Sequence, residues 1–297
     1  MAVRIVRLGS PRVAGEGVRL GTRTGCRRPA GARMSSPLAV YARQRLSIFA
    51  GAFVVLLLVA APKAALAADI AVYCSNGFRA VMQDLVPQFE RSTNNTVKIT
   101  YGLSTDLQRR IEGGDAFDLA ILTPALIQTL AQQGRVVANS RATLARSPIG
   151  IATKHGSAAL DFRTADGLTR ALRSAKSIGY AKEGASAAFF LATVERLGLA
   201  RELQSRIVAA ASGAAVGASV AKGDLELGVL PVSEILPIAG IDVGGTFPGE
   251  LAGFITMTAG VSTHATSAPA ARVLIEFLSM PSSEAVLRTR GMERARQ

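Results

Sequence analysis

The sequence predicts an α/β protein built on mostly parallel sheets. From Ile70 onward, short β-rich runs alternate with segments whose apolar residues recur at helical spacing. Between residues 70 and 121 the order strand, polar turn, helix runs twice and a third strand follows. Each polar turn, Cys74-Ser75-Asn76-Gly77 and then Gly102-Leu103-Ser104-Thr105, falls where a strand hands over to a helix. Such alternation is the pattern of βαβ units.

In chain order, strands are expected over residues 70–73, 97–101, 118–122, 149–153, 177–180, 227–230 and 253–258. Val81, Leu85 and Phe89 place the first helix, and Pro87 inside it predicts a break or a fresh turn. Leu107, Arg110 and Ile111 begin a second helix, and Leu126, Ile127 and Leu130 a third. Phe189, Phe190, Val194 and Leu197 line another, ended by Gly198. Val273, Leu274, Phe277 and Leu278 line one near the C-terminus that stops before Pro281. The Ala/Gly-rich residues 209–221 read as a weak helix or a loop, and no solenoid-length repeat is present. Two places read as crossings between lobes. Arg146-Ser147-Pro148 opens a new strand, and Gly244-Gly245-Thr246-Phe247-Pro248 precedes a returning one. Residues 148–247 then form an inserted lobe II, and residues 69–147 plus 248–297 form lobe I.

The formal charge of +13 over 297 residues suggests a nucleic-acid partner until the charge is located. Residues 1–68 hold 11 Lys and Arg against one acid, Glu16, whereas residues 69–297 hold 23 against 20. The basic excess belongs to the leader, the remainder is an ordinary soluble surface, and no nucleic-acid partner is expected. Arg43 and Arg45 precede an uncharged run over residues 46–61, followed by Ala65-Leu66-Ala67. A basic flank, a short apolar core and a small-x-small site describe a secretory signal. The run falls short of the roughly 20 residues that span a bilayer. Residues 1–67 are therefore expected to be a leader cleaved near Ala67, which places the mature protein in the periplasm. Residues 1–33 are too long and Arg-rich for an ordinary signal flank, so translation is expected to start at Met34. Cys26 falls in the leader, leaving Cys74 alone and no intrachain disulfide in the mature chain.

The chemistry points to capture of a small anion. Ser75 and Asn76, with Ser104 and Thr105 at the equivalent turn of the next unit, offer neutral donors at two helix starts. Both turns follow the C-terminal ends of adjacent parallel strands, where open α/β sheets bind ligands. Either pair also serves as a helix cap. Lys182-Glu183-Gly184-Ala185-Ser186 enters a helix, with Ser186 as an anion contact or a cap, and Lys182 and Glu183 as a solvated pair. Tyr180 reads as core. Arg79 suits a bidentate carboxylate contact or a plain surface position. Glu234 suits an acid or base, or a helix-start acid favoured by the dipole. His155 and His264 lie far apart, no metal-ligand spacing appears, and neither a G-x-S-x-G elbow nor a phosphate loop is present. Cys74 has no activating base in view and reads as a small buried residue. No cofactor is expected.

These elements together resemble the type II periplasmic solute-binding proteins of ABC transporters, closest to the molybdate-binding branch. The resemblance rests on the first strand with Ser75-Asn76, the helix ending Phe89-Glu90-Arg91, and the second strand with Ser104-Thr105. It continues through Ile111-Glu112-Gly113, Phe117-Asp118-Leu119-Ala120-Ile121, and Leu227-Gly228-Val229 feeding Ser233-Glu234. It implies two α/β lobes with the ligand in the cleft between them, hinge closure on binding, and a monomer that meets the membrane only through a transporter permease. It also implies ligand contacts from Ser75 and Ser104, from Ser186, and from the backbone near Ala215-Val216-Gly217, where Val216 is the candidate. Molybdate proteins place a Tyr just after the strand here written Leu227-Gly228-Val229, and this chain departs with Leu230-Pro231-Val232. The segment from Val229 to Pro237 also resembles a side branch that includes aconitate isomerase-like proteins. An isomerase of a small tricarboxylic acid, with Glu234 and Arg79 as its candidate catalytic groups, is therefore an alternative expectation, and a non-transport sensor using the same cleft is a second.

Overall fold

The structure, a computed structural model, describes residues 67–295, so the expected signal segment and the start at Met34 lie outside the described residues. In chain order β1 (Asp69–Ser75) leads through a 3-10 turn (Asn76–Phe78) into α1 (Arg79–Thr93). Then come β2 (Thr96–Gly102), α2 (Ser104–Glu112), β3 (Leu119–Leu122), α3 (Pro124–Gln132) and the long β4 (Ala142–Lys154). The middle of the chain gives α4 (Ala165–Ser174), β5 (Ile178–Ala181), α5 (Ala187–Arg196), α6 (Ala200–Leu203), β6 (Ile207–Ala210), α7 (Gly213–Lys222), β7 (Leu227–Pro231), α8 (Val232–Ile235) and β8 (Ile241–Thr246). The chain closes with β9 (Phe254–Val261), α9 (Ala268–Leu278) and α10 (Glu284–Thr289). Among the described residues no helix is long and apolar enough to cross a membrane.

The strands bond in the order β2-β1-β3-β9-β4-β7-β5-β6, with β8 also on β4. Parallel sets lie at either end, β2-β1-β3 and β7-β5-β6. Between them β4 changes partner. Its residues 142–148 run antiparallel to β9, and residues 149–154 run antiparallel to β7 and β8. The strands β1, β2, β3 and β9 are here called lobe I and β5 to β8 lobe II, with β4 threading both.

Side-chain alternation in β1 shows how lobe I is filled. Ile70, Val72 and Cys74 face α1 and α9 in the main core, while Tyr73 faces a second cluster with Leu107, Ile111, Ile127 and Leu130 under α2 and α3. A third cluster, including Val216, Val220, Leu230 and Ile235, lies beneath α7 and α8 in lobe II.

Several local expectations need correction. The Pro87 break does not occur: α1 runs unbroken from Arg79 to Thr93. Pro87 and Gln83 both face water, so the carbonyl that Pro87 cannot bond is solvated, while buried Leu85, Val86 and Phe89 hold the helix down. Pro148 lies inside β4 rather than opening a strand, at the point where pairing passes from β9 to β7 and β8 and a missing donor is tolerated. β6 and β8 have no counterpart among the expected strands. β6 is four residues long, and β8 carries Gly244 and Gly245. The glycine at 245 is required, because a Cβ there would come within 2.6 Å of the Phe162 side chain. Residues 209–221 divide into the end of β6 and α7, which is capped by Ser212 Oγ accepting from Ala215 N–H at 3.2 Å. On α9, Val273 is exposed while Leu274 and Leu278 are buried.

Asp118 joins the early and late parts of lobe I. Its carboxylate accepts from Ala71 N–H at 2.8 Å, Ser267 N–H at 2.9 Å and the Thr266 hydroxyl at 3.2 Å. Hydrogen bonds to a charged group contribute about 1.5–3 kcal/mol each, and orphaned donors add their own cost. Because the three bonds share one acceptor and are not additive, and water reaches the part-buried donors, Asp118→Ala is expected to lose about 2–3 kcal/mol in urea unfolding, and Asp118→Asn less, because the amide oxygen still accepts.

Candidate functional site

Because β1, β2 and β3 are parallel, their C-terminal ends share one edge of lobe I. Ser75 is register partner to Gly102, so the turns carrying Ser75-Asn76 and Ser104-Thr105 are neighbours. Neither serine caps a helix with its side chain. Ser75 precedes the 3-10 turn without a side-chain cap bond, and the N-cap of α2 is Leu103, which puts Ser104 at the first helical position. The Ser104 and Thr105 hydroxyls are buried and have no hydrogen-bond partner. Their backbone N–H groups, with that of Asp106, precede the first intrahelical bond, from Leu107 N–H to Leu103 O.

The two residues line a cavity of about 440 Å³ between the lobes. Lobe I adds Thr123 and Pro124 at the start of α3, β9 adds Ile255 and Thr256, and lobe II adds Glu183, Gly184 and Ala185. Three strand-to-helix turns therefore converge on one space: those before α2, α3 and α5. Ser186, the N-cap of α5, is buried beside this turn, makes no side-chain cap bond and does not line the cavity. Val216 is buried in the lobe II core and its N–H is bonded to Ser212 O, so it offers nothing to a ligand. The start of α7 leaves the N–H groups of Gly213 and Ala214 without intrahelical partners instead. Lys182 and Glu183 are both exposed, and they form no ion pair with each other.

Neither Ser75 nor Asn76 lines the cavity, and the Asn76 Oδ1 accepts from Arg79 Nη2 at 2.8 Å. The Arg79 guanidinium lies 4.2 Å over the Tyr101 ring, and burial pushes the Tyr101 hydroxyl up to about 12. Arg79 is exposed and forms no ion pair among the described residues, so it is a held cation with free donors. Cys74 is fully buried, and burial pushes its thiol far above the usual range, which makes it an inert packing residue. Tyr180 is partly buried, its ring centroid 5.8 Å from that of Phe190.

Behind the Ser75–Gly77 turn the lobes are pinned together. The Ser233 hydroxyl donates to Gly77 O at 2.9 Å, and Ser233 N–H donates to Ser147 Oγ at 3.0 Å. Ser147 in turn donates to Gly291 O at 2.9 Å. Next along α8, Glu234 points its carboxyl between Gly77 of lobe I and Gly213 of lobe II: Oε1 is 3.5 Å and Oε2 2.1 Å from where a Cβ would stand on those glycines. Burial pushes Glu234 up to about 7, against the opposing pull of the Arg79 charge. The Arg79 charge is thus felt at Glu234, the other residue named for the isomerase alternative.

The wall from Thr123 and Pro124 was open to the same strand-end rule that found Ser75 and Ser104, applied to the end of the third strand. The β9 wall has no sequence signal, because an antiparallel return strand carries no helix turn to mark its end.

Among known proteins, the chain is 28% identical over 236 residues to the molybdate-binding protein ModA of Azotobacter vinelandii, covering 77% of this chain and 91% of that protein. It is 24% identical over 232 residues to an aconitate isomerase of a Pseudomonas species, covering 75% and 87%. The fold superposes on the solved periplasmic molybdate-binding protein of Azotobacter vinelandii with a TM-score of 0.66 at 20% identity, over 76% of this chain and all of that one. Residues 70–293 match the family model of the bacterial extracellular solute-binding proteins, and the chain belongs to that family.

Proposed function

We propose that this protein captures a small anion in the interlobe cleft outside the cytoplasm and presents it to a membrane transporter. One observation carries the reading: the Ser104 and Thr105 hydroxyls are buried, face the cleft and have no partner. A buried hydroxyl without a partner costs free energy, so its retention points to a ligand that completes it. Helix-start N–H groups around the same space add neutral donors suited to an anion. Glu183 is the charged lining residue, and among the described residues no cation lines the cavity. Neutral donors hold an anion while leaving it free to depart, as delivery requires. Lobe II, taken as residues 148–247, would close over the ligand by bending where the chain crosses at Pro148 and near Phe247. Export behind the cleaved leader, and release to the permease of an ABC transporter, complete the reading.

The test is a thermal-shift panel of molybdate, tungstate, sulfate, phosphate, citrate and the aconitates on the mature chain. A ligand at about a hundred times its dissociation constant adds about 2.7 kcal/mol, and at least one anion is expected to do so. A flat panel overturns the anion reading. Turnover of cis- or trans-aconitate by the purified protein would replace capture with catalysis.

A further inference from the structure

Glu234 is an acid that the capture reading leaves unused, and its surroundings are built for it. α8 is fastened to lobe I one residue earlier, by the Ser233 hydroxyl on Gly77 O. This fixes the carboxyl against the first residue of α7. A side chain at 213 would push the carboxyl aside, since Oε2 stands 2.1 Å from the Cβ position of Gly213. No described residue donates a hydrogen bond to Glu234. Met257 links the position to the cleft: its Cε lies 2.7 Å from the Cβ position of Gly77, and its neighbours Ile255 and Thr256 line the cavity.

We propose that Glu234 couples anion capture to uptake of one proton, so that the closed, loaded cleft contains the protonated acid. The inference rests on the anion reading above. The ionised carboxylate is itself an anion, held at the start of α7 beside the Ser75–Gly77 turn, which neighbours the Ser104 turn of the cavity, and a second negative charge brought to that cavity disfavours it. Protonated, it becomes neutral and gains an O–H to donate. Its ionisation falls in the range where such coupling is felt, because burial outweighs the pull of Arg79.

The charged groups on the elements packed against α8 leave Arg79 as the one acting on Glu234. On β4, Arg146 pairs with Glu293, and Lys154 reaches Lys222 O at the far end of α7. On β8, Asp242 pairs with exposed His155. β7 and the 3-10 turn contribute no charged side chain.

Titration calorimetry of the mature chain with molybdate and with sulfate, both dianions throughout, is run from about pH 6 to about pH 8.5. If only the protonated form binds, the apparent dissociation constant scales inversely with its fraction, and affinity falls by about ten- to thirtyfold across the range. At about pH 8, buffers of different ionisation heat are expected to reveal uptake of close to one proton per anion. Glu234→Gln, which keeps the shape and cannot ionise, is expected to hold the acid-side affinity at every pH and to take up no proton. A pH slope that survives in Glu234→Gln would assign it elsewhere, to His155 for instance, and overturn the inference. Should that variant fold poorly, proton uptake by the parent protein decides alone: none at about pH 8 overturns the coupling. Binding that is flat in pH removes this inference and leaves the anion reading standing, whereas no binding at any pH removes both.

Discussion

Ser104→Ala is expected to bind its anion ten- to a hundredfold more weakly while melting no lower than the parent. The two halves of this outcome have separate causes. A hydroxyl donating to a charged acceptor contributes roughly 1.5–3 kcal/mol, which is about ten- to a hundredfold in affinity. In the free protein that hydroxyl has no partner and caps nothing, since the α2 N-cap is Leu103. Removing it therefore relieves an unsatisfied group rather than breaking a bond, and Ala at a helix start is no worse a helix former. A mere cap would show the reverse, a loss of about 1 kcal/mol in stability with affinity kept. Melting temperatures with and without saturating anion distinguish the two in one experiment. A variant that melts lower and keeps the full ligand-induced increment would remove Ser104 from the site.

Phe190→Ala is expected to be the most damaging single change considered, at about 3–5 kcal/mol of stability. Phe190 is fully buried, packs on Tyr180 and anchors α5, whose entry turn forms the lobe II wall of the cleft. A loss of that size takes a large share of the roughly 5–15 kcal/mol typical of a folded protein. At about 2–4 °C per kcal/mol for a chain of this size, the melting temperature should drop by about 10 °C. A drop within 2 °C would mean that the pocket around Tyr180 collapses to refill the space, and that the α5 anchor lies elsewhere.

What the sequence made legible follows from which physical signals are local. The first three strands and their helices were readable because apolar spacing and strand-end turns recur within a few residues. The same locality places Ser75 and Ser104 side by side, through the rule on parallel strand ends. Pro87 misled because the cost of a helix proline depends on whether the orphaned carbonyl meets water, a tertiary fact. β8 was hidden because its two glycines answer to Phe162, more than eighty residues earlier. For Val216 the resemblance pointed to α7, but only the Ser212 cap shows which N–H groups at its start remain free. Glu234 was visible as a residue type, yet its place between the lobes needed Gly77 and Gly213 to be seen as the room its carboxyl occupies.

The strand order also dictates a timetable for assembly. In lobe I, β3 can pair with β1 as soon as it exists, but its other edge stays bare until β9 arrives, more than a hundred residues later. The Asp118 carboxylate likewise waits for Thr266 and Ser267. At roughly 5–20 residues per second of synthesis, the first-made half of the protein spends on the order of ten seconds as an unfinished sheet. Lobe II, whose strands are consecutive, is complete before the last third of lobe I emerges. A ribosome-stalled chain with residues up to about 250 outside the exit tunnel should therefore protect lobe II from protease while lobe I is still digested. A chain that cannot finish folding until its end is available is one that can still be threaded through a membrane pore.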